Sequence, residues 1–210
     1  MWAQWIEEYF DGVRRALDAL PREILLQIIA QIEAAARDGR MIFLCGNGGS
    51  AATASHFACD LAKGTRRPGA PMVRAVALTD SIPLLTAWAN DTEYRRVFAE
   101  QLRPLVRPGD VLIAISGSGN SPNVLEAVQV AREAGAFTIG LTGFQGGKLR
   151  DLVDLCLIVP SGCMEQIEDL HLILHHTIIT VLRRTWEGAF AVAPILHEEP
   201  LPDASRFPGS

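Results

Sequence analysis

Two segments rich in glycine and serine each lie between an apolar run and a helical stretch, an arrangement that turns backbone N–H groups toward an anion. Gly46-Asn47-Gly48-Gly49-Ser50 follows Met41-Ile42-Phe43-Leu44-Cys45 and precedes Ala51-Ala52-Thr53-Ala54-Ser55-His56. Ser116-Gly117-Ser118-Gly119-Asn120-Ser121-Pro122 follows Val111-Leu112-Ile113-Ala114-Ile115 and precedes a helical stretch from Asn123 to Ala134. Glycine permits the sharp turn and the close approach of a ligand, and the first turn of the following helix offers unpaired N–H donors. Hydroxyls at Ser50, Ser116, Ser118 and Ser121 can each add a hydrogen bond, enough to ring a phosphate monoester. Either loop alone also reads as an ordinary strand-to-helix turn with a serine cap. Two of them in one parallel sheet point to a single polyanionic ligand held between them. Neither is a nucleotide motif: the first lacks the lysine and adjoining hydroxyl of a P-loop, and the second lacks the spacing of a dinucleotide fingerprint.

A second constellation has the residue types of a metal site. His56 and Asp60 are four residues apart on the helix after the first loop, so both face one side. On the last helix Glu168 and His176 are two turns apart on one side, with His175 adjacent and His171 one turn from both His175 and Glu168. Two imidazoles and two carboxylates from two helices suit a divalent transition metal, zinc first. On spacing alone, His56 also fits a solvated helix surface, and Leu170 to His176 also fits a buried helix with satisfied imidazoles. The cysteines at 45, 59, 156 and 163 form no C-x-x-C pair and read as reduced thiols, buried at 45 and 156.

The elements that must position these residues alternate along the chain. Near-continuous apolar runs at 41–45, 73–78, 111–115, 137–142 and 155–159 read as strands buried on both faces, each followed by a helical stretch. That order predicts an α/β three-layer sandwich, a five-stranded parallel sheet flanked by helices, with ligands at the carboxyl ends of the strands. Helical periodicity over 84–88 and 93–105, with Asn90-Asp91 as a polar turn between, precedes the third strand. A short helix at 149–152 and a long one over 164–184 follow later. Two additional helices open the chain, the first with an aromatic stripe of Trp2, Trp5, Tyr9 and Phe10 that a small sheet cannot cover, which predicts a homo-oligomer. One domain over 1–190 and a flexible, proline-containing tail over 191–210 complete the reading.

The chain has 210 residues and a formal net charge of −5, with 24 acidic against 19 basic residues, which argues against a nucleic-acid surface. It has neither an apolar stretch of about 18 residues nor a basic-then-apolar opening, so no membrane association and a cytoplasmic location are expected.

Taken together, Gly46 to Ser50 with His56-Phe57-Ala58-Cys59-Asp60, Ala89-Asn90-Asp91, Ile115 to Ser121, and Ile167-Glu168-Asp169-Leu170-His171 with His176 resemble the sedoheptulose 7-phosphate (phosphoheptose) isomerase family of the sugar isomerase (SIS), flavodoxin-like fold. The resemblance spans roughly residues 2 to 186. It implies a homotetramer with active sites between subunits, often zinc-dependent. It also implies phosphate contacts from Ser50, Ser116, Ser118 and Ser121, sugar contacts from Asn47, Gly48, Gly49, Asn90 and Asp91, and a substrate site that further includes Gly117 of the phosphate loop and Glu168. The family's metal ligands are histidine, glutamate, glutamine and histidine, which here correspond to His56, Asp60, Glu168 and His176, so two of the four are altered. Gly117 stands where the family has threonine.

The activity implied is interconversion of sedoheptulose 7-phosphate and D-glycero-D-manno-heptose 7-phosphate through an enediol, feeding nucleotide-activated heptose. Asp60 would be the base and His176 the acid, with a metal as Lewis acid. Two alternatives remain open at this point: an adaptor of the DnaA-binding type that shares the fold without catalysis, and an isomerase of a different sugar phosphate.

Overall fold

A computed structural model of the chain describes residues 1–188; the tail expected over 191–210 lies outside the described residues. Strands β1 (Met41–Cys45), β2 (Arg74–Ala77), β3 (Val111–Ser116), β4 (Phe137–Thr142) and β5 (Leu155–Ile158) form one sheet in the order β2-β1-β3-β4-β5. Every pairing is parallel. Alternation of side chains sends Ile42 and Leu44 to one face, and Phe43 and Cys45 to the other. Both faces are apolar because both are covered, as a parallel sheet requires.

Helices α1 (Trp2–Asp18), α2 (Arg22–Arg37), α3 (Gly49–Cys59) and α8 (Met164–Gly188) cover the first face, where Ile28, Ile32, Phe57, Leu170, Leu174 and Trp186 are buried. On the second face lie α4 (Ile82–Asp91), α5 (Ala99–Leu102), α6 (Pro122–Glu133) and α7 (Leu149–Leu152), with Phe98, Leu102, Val124 and Val128 in the core. This is the expected three-layer α/β sandwich with two additional N-terminal helices. Among the described residues no helix is long and apolar enough to cross a membrane.

Two local readings are corrected. Asn90 and Asp91 are not a turn; they end α4, which begins at Ser81, whose Oγ accepts from the Leu84 N–H at 3.4 Å. The chain leaves the helix at Thr92, whose hydroxyl donates back to the Trp88 carbonyl at 2.5 Å. The helix expected over 93–105 is broken into a 3₁₀ turn at Tyr94–Arg96 and the single turn α5, with Pro104 close behind to prevent continuation. The four cysteines are free; Cys45 is buried and its thiol is pushed up to about 12 by desolvation, while Cys156 is only half-buried.

α1 packs on α8 through Gly12, where a Cβ would lie 2.1 Å from the Gln166 side chain, and through Tyr9, which donates to Asp169 at 2.5 Å. Its other face leaves Trp2, Trp5, Ile6 and Phe10 exposed.

Candidate active site

Sheet order reverses between β1 and β3, and the loops after these two strands are the two glycine-serine segments. In a doubly wound sheet this switch point is where a crevice opens at the carboxyl ends of the strands. There the loops enclose a small cavity of about 120 Å³ lined by Asn47, Ser50, Ser116, Gly117, Ser118, Ser121, Met164 and Glu168. Ser116 and Ser121 hydroxyls are 3.1 Å apart, and Ser118 Oγ accepts from the Asn120 N–H at 3.2 Å. Ser50 is buried in the first turn of α3, beneath the N-terminal end of the helix dipole.

Local sequence explains the tightness of this cradle. Gly119 has a φ of 66°, and a Cβ there would strike the Gly146 carbonyl oxygen at 1.9 Å, so no other residue fits. At Gly117 a Cβ would lie 2.4 Å from Met164 Sδ, so the thioether fills the space that the family's threonine would take.

The two loops are joined by an amide pair. Asn47 donates to Asn123 Oδ1 at 2.9 Å and Asn123 donates to Asn47 Oδ1 at 2.8 Å, while the Tyr94 hydroxyl donates to Asn47 Oδ1 at 3.1 Å. Asn123 is buried, and the sequence marks it only as the start of a helix and not as a site residue; an amide placed in the first turn of a helix that packs on the sheet is the available signal. Gly48 precedes α3 and is exposed beside the cavity, as is Gly49. Asn90 and Asp91 lie apart from the cavity lining, on the exposed end of α4, where Asn90 donates to the Asp91 carboxylate at 2.8 Å.

At the far end of α3 a second cluster forms. The ligand-type atoms of His56, Asp60, His175 and His176 all lie within 4.8 Å of one another. Asp60 Oδ2 is 2.9 Å from His175 Nε2 and 3.5 Å from His56 Nε2. The imidazoles of His56 and His176 meet edge to face at 5.1 Å between centroids. Asp60 opens a π-helical turn, Asp60–Gly64, in which the Thr65 N–H reaches the Asp60 carbonyl at 3.1 Å. Such turns re-aim side chains at the end of a helix.

The environments within the cluster differ. His56 and His176 are exposed, Asp60 is half-buried and His175 is fully buried. Burial holds the His175 imidazole neutral, down to about 4, with the hydrogen bond to Asp60 opposing that shift. Its Nδ1 is buried with no hydrogen-bond partner. A neutral imidazole, a carboxylate and two solvent-facing imidazoles are a donor set that fits a borderline-soft divalent cation such as zinc.

Glu168 is not brought into this cluster. Its carboxylate leans onto Gly49, where a Cβ would lie 2.4 Å from Oε2, and it lines the serine cavity instead. Eight residues of helix put it about 12 Å from His176 along the axis, and helical side chains tilt toward the N-terminus, which carries Glu168 away from His176. His175 stands where Glu168 was expected. Beside the cluster an open cleft of about 730 Å³ runs past Asp60 and is bordered by Lys63, Arg66, Arg67 and Arg183.

The SIS domain family matches residues 8–143. A phosphoheptose isomerase of Aliarcobacter butzleri is 48% identical over 148 residues, covering 70% of this chain and 77% of its own. One from a Roseiflexus species is 42% identical over 182 residues, covering 86% and 90%. The structure of phosphoheptose isomerase GmhA from Neisseria gonorrhoeae superposes with a TM-score of 0.79 at 36% identity, covering 87% of this chain and 96% of its own. With a serine-lined cavity at the β1/β3 switch point and this much of its length shared, the chain belongs to the SIS-domain family, among the phosphoheptose isomerases.

Proposed function

We propose that the chain interconverts sedoheptulose 7-phosphate and D-glycero-D-manno-heptose 7-phosphate by proton transfer between C1 and C2 through an enediol. The observation that carries this reading is the placement of a serine-lined anion cavity and a His/Asp cluster at opposite ends of one helix, α3. Similarity to the phosphoheptose isomerases supports the choice of a seven-carbon sugar.

Ser50, Ser116, Ser118 and Ser121, with the N–H groups at the start of α3, hold the phosphate, and this remote binding energy positions the reacting carbons. Asn47, the Gly48-Gly49 backbone and the Glu168 carboxylate are placed to accept or donate hydrogen bonds to sugar hydroxyls, and Glu168 as an acceptor selects hydroxyl donors. At the other end, the Asp60 carboxylate takes the C1 proton of the ketose and returns it to C2, while His176 passes a proton between the C1 and C2 oxygens. Asn90 and Asp91 are assigned to a site completed by a neighbouring subunit, in line with their exposure on α4, which has no buried residue of its own. The exposed aromatic face of α1 and the apolar Ile82 and Leu84 of α4 support a homotetramer with sites at its interfaces. His56, Asp60 and His176 would hold a zinc ion, which supplies Lewis-acid polarisation of the carbonyl. A cytoplasmic setting agrees with four free cysteines.

Proton NMR of sedoheptulose 7-phosphate with the zinc-loaded protein in D2O tests the reading. Aldose anomeric signals and solvent deuterium at C1 or C2, abolished by Asp60→Asn, are the expected result. Absence of both new signals and exchange would overturn it.

A further inference from the structure

We infer that this chain holds its metal with three imidazoles and one carboxylate, His175 entering the coordination set in place of Glu168, which is thereby left to the sugar-phosphate cavity. The inference rests on the metal-assisted part of the reading above and concerns which atoms do the holding.

Several observations converge on it. The donor atoms that are close together are those of His56, Asp60, His175 and His176, and Glu168 is not among them. Donors bound to one tetrahedral zinc at about 2.0–2.2 Å lie roughly 3.3 Å from each other. The two nitrogen-to-oxygen separations about Asp60 Oδ2, 2.9 Å to His175 and 3.5 Å to His56, bracket that value. His175 directs Nε2 into the cluster, 2.9 Å from Asp60 Oδ2, and its ring centroid lies 4.6 Å from that of His56 and 4.4 Å from that of His176.

The positions of Asp60 and Glu168 agree with this set. Asp60 is one methylene shorter than glutamate, and a second donor rising from the facing helix α8 brings the cluster to it. Glu168 instead leans onto Gly49, where a Cβ would lie 2.4 Å from its carboxylate, and lines the serine cavity.

Zinc K-edge X-ray absorption of the zinc-loaded full-length protein counts imidazoles through their multiple-scattering pattern. Three are expected in the parent. In His175→Leu the count should fall to two, and zinc affinity in chelator competition should fall at least about 10-fold to 100-fold, the range carried even by groups that only support a ligand. In Glu168→Gln the count and the affinity should stay as in the parent. Two imidazoles in the parent, no zinc binding by the parent, or a changed coordination in Glu168→Gln would each overturn the inference. If His175→Leu does not fold, the parent count and Glu168→Gln decide it. Three imidazoles in a protein that leaves sedoheptulose 7-phosphate untouched would leave the inference standing and remove the heptose reading instead.

Discussion

Asn47 and Asn123 exchange two amide hydrogen bonds, at 2.9 and 2.8 Å, across the gap between the loops that follow β1 and β3. Each loop is thus a template for the other. Asn123 Oδ1 additionally accepts from the Val124 N–H at 3.0 Å, so the buried amide also fixes the start of α6. Replacing it by Leu of similar size strands the Asn47 amide and costs about 1–3 kcal/mol of loop order. Asn123→Leu should raise KM for sedoheptulose 7-phosphate by about 5-fold to 100-fold with a smaller change in kcat; an unchanged KM would show that the loops are held by other means.

The serine cavity makes a graded prediction. Hydrogen bonds to a charged group are worth about 1.5–3 kcal/mol, so Ser116→Ala and Ser121→Ala should each lower kcat/KM by about 10-fold to 100-fold. Inhibition by inorganic phosphate should weaken in parallel. A fall in kcat/KM without weaker phosphate inhibition would place these hydroxyls elsewhere on the substrate.

Asp60 is at once the expected base and a member of the metal cluster, so its loss should be severe. Asp60→Asn keeps the shape and a hydrogen-bonding oxygen but removes the basic lone pair. Turnover should drop by about 100-fold to 10,000-fold, the usual contribution of a general base, with the circular dichroism spectrum unchanged. Wild-type rates in Asp60→Asn would move the base to another group.

His171 predicts a pH dependence of folding. It is buried, its Nε2 lies 3.2 Å from the Thr142 carbonyl oxygen, and desolvation holds it down to about 4 from the usual 6.5. Because the folded value is the lower one, the unfolded chain takes up the proton first. Stability is therefore full above pH 6.5 and is lost as pH falls toward 4. His171→Gln, which can still donate to Thr142, should remove about 2 kcal/mol of the loss between pH 7 and pH 5, measured by urea unfolding of the metal-free protein. Parallel pH profiles for the two proteins would contradict this.

The aromatic face of α1 predicts assembly. Trp5 and Phe10 are 54% and 49% exposed in the single chain, unusual for side chains of their size. Trp5→Glu with Phe10→Glu should shift the protein from the proposed tetramer toward smaller species in light scattering. A mass unaffected by both charges would move the interface to α4.

Much of the fold was legible in the sequence. Strands 41–45 and 137–142 appear with the same bounds because a strand buried on both faces is a near-continuous apolar run, unbroken in 41–45 and interrupted only by Thr138 and Gly140 in 137–142. The segment 93–105 was harder, since its helical period is real in Val97, Phe98 and Leu102, all buried, yet tertiary packing uses only one turn of it. At the site, residues on a single loop were easy to place together: Ser116, Ser118 and Ser121 could hardly be apart. Glu168 was not, because helical periodicity says which side a residue faces and nothing of where along the axis its side chain leans. His175 was obscured for the opposite reason. Its neighbour His176 matched a known pattern, and only the packing of α8 on α3 reveals that the buried member of the pair reaches Asp60.

α3 and α8 run side by side, with Glu168 against Gly49 at one end and His175 and His176 against His56 at the other. The pair behaves as a ruler. From Gly49 to His56 the helix advances about 10 Å, and its rise per residue cannot be stretched. A linear sugar anchored by its terminal phosphate at one end meets the proton-transfer groups only if its carbon chain is long enough to span the helix, whatever the stereochemistry between. Selection by length would then be built into backbone geometry, and shorter sugar phosphates would be bound at the phosphate yet remain out of reach of Asp60.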